Sequence, residues 1–299
     1  MSQLDVPLGL ASSPGNERAS TPAPAAPAPA RKSARSKSPA ASLVGWILPA
    51  TLLLAWAIAS KKELIAPQIL PAPAAVAETL LEQLKSGELF TNFGISLARV
   101  AGGFVLGGAL GVVLGVAMGL SRKVEQYLFP LFNAIGQVPV LGWLPLAMMV
   151  LGIGESLKIV IIAHATLVPI ALNALKGIRN VPVAYVEVAK TFEFSKRQLL
   201  RKVIFPASVP TLFVGVRYGL TQAWLSLVTV ELLASSEGLG FMIVWGRQLF
   251  QLDLVLSAII VVGVVGLLLD RGLERLEARL LRWRQSVAWS SGGQAEQKS

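Results

Sequence analysis

Cysteine is absent from the 299 residues, which excludes disulfides, thiolate nucleophiles and Cys-bearing metal sites. Histidine occurs once, as His164, and a metal centre needs several ligands, so no resident metal is expected. Charge is scarce: 15% of residues are charged, where soluble domains carry about 25%. Acidic residues are the scarcer sign, 17 against 27 basic. No phosphate-cradling G-x-x-x-x-G-K-[ST] loop occurs, so any ATP hydrolysis belongs to another polypeptide. The G-x-S-x-G elbow of serine hydrolases is missing too, and the lone histidine lies inside an apolar run.

What remains is apolar. Hydrophobic residues make up 54% of the chain and the mean hydropathy is +0.62, the balance of an all-α membrane protein. Six runs reach the length that crosses a bilayer, at about 43–60, 94–120, 126–152, 156–176, 210–232 and 254–272. The net charge of +10 does not indicate nucleic acid, because the cations form no single patch. They sit in the tail, at Arg122 and Lys123, in the 177–209 loop and from Arg271 to Arg284. With alternating spans these all fall on one side, so that side and both termini are expected to be cytoplasmic.

The chain divides into three parts. Residues 1–40 are a Pro/Ala-rich tail with Arg31, Lys32, Arg35 and Lys37 at its end; it has too little apolar surface to fold and reads as disordered and cytoplasmic. A cleaved signal peptide is the rival reading, but the polar lead is too long for one. Residues 41–285 hold the spans, and 286–299 read as a flexible tail. The second span carries Gly103, Gly107, Gly111, Gly115 and Gly119, a spacing of four that keeps small residues on one helix face and invites close helix packing.

Residues 180–209 are too polar to span and too patterned to be a linker. Pro182 stands where a helix can begin, over 183–192. Ser195 and Gln198 match a capping box, which predicts a second helix from Lys196 with Leu199, Leu200, Val203 and Ile204 as its stripe. Pro206 and Pro210 are expected to end it. The result is a compact cationic knob, whose Lys196, Arg197, Arg201 and Lys202 would also suit anionic lipid headgroups.

This loop resembles the cytoplasmic signature of the membrane permeases of bacterial binding-protein-dependent ABC importers. That signature reads Glu-Ala-Ala, three residues, Gly, nine residues, Ile, one residue, Leu-Pro. Here Glu187, Ala189 and Pro206 match, Val188, Val203 and Phe205 are apolar stand-ins, and Glu193 occupies the glycine position. Leu70-Pro71-Ala72-Pro73, Ser96-Leu97-Ala98-Arg99, Gly142-Trp143-Leu144-Pro145, Gly152-Ile153-Gly154-Glu155, Gly238-Leu239-Gly240-Phe241 and Asp270-Arg271 look like the sulfonate/nitrate/taurine subgroup. The resemblance implies a six-transmembrane-helix permease bundle with cytoplasmic coupling helices, in the bacterial inner membrane. It implies cytoplasmic ABC ATPase subunits, a periplasmic substrate-binding protein and a second permease copy as partners, and no cofactor in this chain. Glu187, Ala189, Lys190, Glu193, Phe194, Ser195 and Pro206 would couple to the ATPase. Aliphatic sulfonates lead as substrate, with nitrate and taurine close behind. A secondary transporter and a membrane-anchored assembly protein are the alternatives.

Few polar groups fall at membrane depth. His164 reads either as a histidine bonded to a neighbouring helix or as a contact in the translocation path. Gln137 and Gln222 read as path donors or interhelical hydrogen bonds. Trp143, between Pro139 and Pro145, marks an interrupted third span, the kind of break that lines a cavity or is covered by protein. Glu231 reads as an outer gate, as the partner of a cation such as Arg99, or as an exposed interfacial group.

Overall fold

A computed structural model describes residues 39–66 and 69–281, and among them no strand occurs. The expected tails at 1–40 and 286–299 therefore lie outside the described residues, Pro39 and Ala40 apart. Contacts divide the chain into Met1–Thr51 and Leu52–Ser299. The helix α1 (Pro39–Lys61) contributes to both, and all the remaining helices belong to the second unit.

Helix α2 (Pro73–Ser86) is followed by α3 (Glu88–Leu120), with Gly87 at φ 79° turning the chain between them. Glycine takes that left-handed conformation without the Cβ penalty other residues meet. Next come α4 (Arg122–Gln137), α5 (Val140–Leu151) and α6 (Glu155–Arg179). Ser121 caps α4 by accepting from the Val124 N–H at 3.4 Å. The chain then bends by 98° between α4 and α5. Pro139 explains the break: it has no N–H to give, and it forces Val138 into an extended conformation at φ −84°, ψ 120°. The interruption expected near Trp143 is thus present, just before that residue.

After α6 come α7 (Val183–Thr191), the single turn α8 (Lys196–Leu199), α9 (Phe205–Ala234), α10 (Leu239–Gln248) and α11 (Leu252–Leu280). Here the structure corrects one expectation. The helix from Lys196 does not stop at Pro206 or Pro210 but runs on as a π-turn, Leu200–Ile204, into α9. The Phe205 N–H reaches back to the Leu200 carbonyl across the wider ring. That widening relieves the clash the Pro206 ring makes with the carbonyl of the preceding turn, while Pro210 is carried inside α9 as Pro169 is inside α6.

Among the described residues, four helical stretches are long and apolar enough to cross a bilayer alone: α3, α6, the stretch containing α9, and α11; the α4–α5 pair makes a fifth if it counts as one broken span. Several bounds move: the second span starts at Glu88 rather than 94, the third at Arg122 rather than 126 and the fifth at Phe205 rather than 210, and the last continues to Leu280 rather than 272. Helix α10, between α9 and α11, has no counterpart among the expected spans.

Helix α6 is the most buried of the four, and α3 and α9 make the most extensive contacts with it. The glycine ladder is the α3 side of this seam. A Cβ on Gly103 would lie 2.5 Å from Ile162 Cγ2, and one on Gly111 would lie 2.8 Å from the Leu167 carbonyl oxygen. Gly107 and Gly115 face the carbonyls of Ala163 and Ala171, and Gly119 faces Ile178. From Gly103 to Gly115 the α3 backbone lies against α6 carbonyls, which gains dispersion contacts that lipid tails cannot supply. The α9 side repeats the device with Gly215 against Asn173 and Gly219 against Ile170. Beyond the seam, Trp224, Leu227, Met242, Leu254 and Ala258 close a core between α9, α10 and α11.

Gly111→Leu should lower the thermal stability and yield of detergent-solubilised protein, because its side chain has no room against α6. Gly102→Leu, one residue off the ladder with no atom within 4 Å of its Cβ, should leave both unchanged. Equal behaviour of the two variants would show that the seam does not hold α3.

Candidate functional site

The exposed loop is built by two local motifs. Pro182 N-caps α7, and α7 ends in a Schellman turn: Glu193 N–H donates to the Lys190 carbonyl at 2.9 Å and Phe194 N–H to the Ala189 carbonyl at 3.0 Å. That turn requires a left-handed residue, and Glu193 takes it at φ 53°. The position where the ABC permease signature has glycine is therefore the one that glycine suits best. Ser195 then opens α8 with the expected capping box: its Oγ accepts from the Gln198 N–H at 3.3 Å, and Gln198 Oε1 accepts from the Ser195 N–H at 2.9 Å. Ala189 is buried against the loop, while Glu187, Lys190 and Glu193 are exposed. Tyr185, Ala189, Phe192, Phe194, Val203 and Pro206 line an open apolar groove of about 630 Å³. Lys202 reaches over the Phe194 ring, its Nζ 5.5 Å from the centroid.

At the opposite end of α9 the structure joins Arg99 to Glu231. Arg99 holds Glu155 bidentately, Nε to Oε2 at 2.7 Å and Nη2 to Oε1 at 2.6 Å. Its Nη1 donates to Glu231 Oε1 and to the Glu237 carbonyl, both at 2.8 Å. Glu231 is completely buried and Arg99 is 4% exposed, so the interfacial reading of Glu231 is excluded. The Ser96 hydroxyl lies within 2.9 Å of both Glu231 oxygens and accepts from the Leu239 N–H. The Gly240 N–H donates to Glu231 Oε2 at 2.9 Å, so the N-terminus of α10 faces the carboxylate with its positive end. A Cβ on Gly240 would sit 2.6 Å from Glu231 Cβ, which is why this close approach needs glycine. Lys158 completes the cluster on Glu155 at 2.6 Å. Two cations and two carboxylates balance, and α3, α6, α9 and α10 are tied at one point.

Midway between these ends, Gln137, His164 and Gln222 share the lining of a cavity of about 220 Å³ between α4, α6 and α9. Trp143 stands on the other side of His164, ring edge to ring face at 5.8 Å and 66°. Among the described residues none of Gln137, His164 and Gln222 makes a side-chain hydrogen bond, so their readings as interhelical bonds do not hold, and Trp143 Nε1 is buried without a partner.

Comparison with known proteins now decides the family. Residues 107–282 match the family described as binding-protein-dependent transport system inner membrane component. The chain belongs to this family. It is an ABC importer permease, a multi-pass protein of the inner membrane that works with an ATPase and a binding protein. It is 39% identical over 254 residues to a Bacillus subtilis (strain 168) protein named provisionally as an aliphatic sulfonates transport permease, covering 84% of this chain and 92% of that one. It is 35% identical to the taurine transport system permease protein of Escherichia coli (strain K12), covering 80% and 88%. It is 34% identical to the nitrate import permease protein of Synechocystis sp. (strain PCC 6803), covering 77% and 86%. A solved structure of the MetNI methionine ABC transporter shares the fold at TM-score 0.52 and 17% identity, covering 62% of this chain and 92% of that chain.

Sequence reasoning missed two features of the permease. Glu155 and Lys158 belong to the Arg99 cluster, and their spacing of three on one helix face was the available signal. Arg217, inside the fifth span, pairs bidentately with Asp270 of α11 at 2.8 and 2.9 Å. A cation within an apolar run asks for a partner at the same depth, and Asp270 was its match.

The cluster and the turn each make a testable difference. Glu231→Ala should cost about 3–5 kcal/mol of stability, since it leaves a buried guanidinium half paired, whereas Lys158→Ala should cost no more than about 1 kcal/mol because its partner Glu155 is 57% exposed. Thermal unfolding in detergent reads both, and reversal of that order would contradict the cluster's geometry. Glu193→Gly should stabilise the permease by about 1 kcal/mol by removing the left-handed strain; a lower melting temperature would mean that Glu193 gains more from a contact than its backbone loses.

Proposed function

We propose that this permease imports aliphatic sulfonates or a related small oxyanion such as taurine or nitrate. The named relatives support that class, spanning three oxyanion or sulfonate systems at 34–39% identity. In this reading it works as a pair of identical copies with six spans each, counting α1 and the broken α4–α5 pair. Both termini and the 177–209 loop face the cytoplasm, as the distribution of basic residues favours. Hydrolysis is done by ATPase subunits docked on that face, and the chain holds no cofactor of its own. Residues 1–40 and 286–299 are accessory to the permease domain at 41–285. Lipid contact by Lys196, Arg197, Arg201 and Lys202 is secondary.

The loop carries the reading. A Schellman turn and a capping box fix two short helices around Glu193-Phe194, leaving Glu187, Lys190 and Glu193 exposed beside an open apolar groove. Such preorganisation suits a docking element, because little conformational entropy is lost when a partner binds. In this reading Glu187, Lys190, Glu193 and Phe194 meet the ATPase, the buried Ala189 packs the knob that presents them, Ser195 positions α8, and Pro206 sits where the loop joins α9. Gln137, Trp143, His164 and Gln222 line the path, and Arg99 with Glu231 closes its outer end.

The chain has no cysteine, so single cysteines at the exposed positions 187 and 193 report on one site each. Each should cross-link to a co-expressed ATPase subunit, and Ala189→Trp, which deforms the knob from within, should abolish substrate-stimulated ATP hydrolysis while the permease still inserts. Absence of cross-linking at both positions in a transporting complex would remove the coupling role.

A further inference from the structure

We infer that the cavity between α4, α6 and α9 is an oxyanion site built from uncharged hydrogen-bond donors, and that Gln222 is its central recognition residue. The inference rests on the substrate class proposed above and adds a site within the permease itself.

The cavity of about 220 Å³ is lined by five polar side chains from three helices: Asn133 and Gln137 of α4, His164 of α6, Tyr218 and Gln222 of α9. None of them makes a side-chain hydrogen bond among the described residues, although each offers at least one donor. Asn133, Gln137 and Tyr218 are exposed on this chain and His164 and Gln222 half-buried, and polar groups left facing lipid at membrane depth cost free energy. A hydrated path or a passing solute satisfies them. No Asp, Glu, Lys or Arg lines the space. Arg217, adjacent to Tyr218, is engaged by Asp270 on α11 instead.

Depth supports the assignment. His164 lies about 14 Å along α6 from Glu155, and Gln222 about 18 Å along α9 from Ala234, at 1.5 Å per residue. Both are near the middle of their helices. A second cavity of about 240 Å³ shares Val140 and Gln222 with the first and continues past Leu225 to Thr229, toward the Glu231 end. Tyr218, Gln222, Leu225 and Thr229 follow one another at steps of four, three and four, a single stripe along α9. Gln222 is thus common to the walls of two neighbouring spaces along this stripe.

The chemistry selects an oxyanion. A sulfonate or nitrate presents three oxygens and sheds part of its hydration shell on entering the bundle. Amide N–H, imidazole N–H and phenol O–H groups replace those water contacts. A carboxylate in the lining would repel the solute, and a fixed cation would hold it too firmly for release, whereas neutral donors give binding weak enough for passage.

The test uses proteoliposomes holding the permease with its ATPase, with the loaded binding protein outside and radiolabelled ethanesulfonate or taurine as probe. The readout is probe imported per ATP hydrolysed. Gln222→Leu should lower this ratio about tenfold or more, by loss of a recognition hydrogen bond. Gln222→Glu should lower it at least as far, because a carboxylate adds repulsion, and Gln222→Asn should retain most of it. Tyr218→Phe, which removes one hydroxyl from a half-exposed ring and does not threaten folding, should lower the ratio about two- to fivefold. An unchanged ratio in the Leu, Glu and Phe variants overturns the site, as does equal loss of yield and transport in Leu, Glu and Asn alike, which marks a packing residue. Failure of the wild-type complex to import either probe, while a loaded binding protein still stimulates its ATPase, overturns the substrate reading and the inference with it.

Discussion

Backbone contact between α3 and α6 is the constraint on which the rest of the arrangement depends. Five glycines at intervals of four let the α6 carbonyls approach α3 where any Cβ would intrude. In a bilayer no hydrophobic force drives two apolar helices together, so close packing must supply the attraction. Once the seam is fixed, its register fixes everything that projects from it. Arg99, one turn before Gly103, meets Glu155 at the start of α6. At the other end Arg179, the last residue of α6, pairs with Glu125 and so ties the approach to the loop onto α4. A shift of one turn along the seam, about 5.4 Å, would separate both pairs together.

The two ends of the bundle are held by opposite means. At the Arg99 end, the guanidinium, the Ser96 hydroxyl and a helix N-terminus converge on the fully buried Glu231 carboxylate. Such a cluster is costly to form and costly to break, which makes it a rigid vertex rather than a source of net stability. At the loop end the fastening is local: a Schellman turn, a capping box and a π-turn hold the knob without burying it. The loop's shape is therefore set by its own backbone, and its surface stays free for contact.

Much of this was legible because local rules act over a few residues. The capping box at Ser195 and Gln198 formed as its spacing required, and the break at Pro139 came from the missing N–H and the restricted Val138. The glycine ladder announced a seam, but its partner was not readable, since any apolar helix with small or yielding side chains could receive it. The prolines after the loop misled for a physical reason. A proline ring clashes with the carbonyl four residues back, which for Pro206 falls on Lys202, and the π-turn there takes up the clash without leaving a pattern in the sequence. The Arg217–Asp270 pair was missed because its members lie on helices far apart in the chain, and their depths match only once α9 and α11 are packed.

Because of that π-turn, the loop helix and α9 are one continuous element rather than two joined by a hinge. Its first turn carries the capping box of the knob, its middle carries Gln222 in the wall of both cavities, and its last turn carries Glu231 in the ion cluster. A helix transmits axial rotation and tilt along its length, whereas a loop absorbs them through its soft dihedrals. Had Pro206 ended the helix, the knob would have been attached through such a loop, and displacement there would have been lost before reaching the bundle. The π-turn carries the helical cylinder past Pro206 into α9. Two sites that share no contact are thereby joined through the axis of one helix, with Gln222 between them.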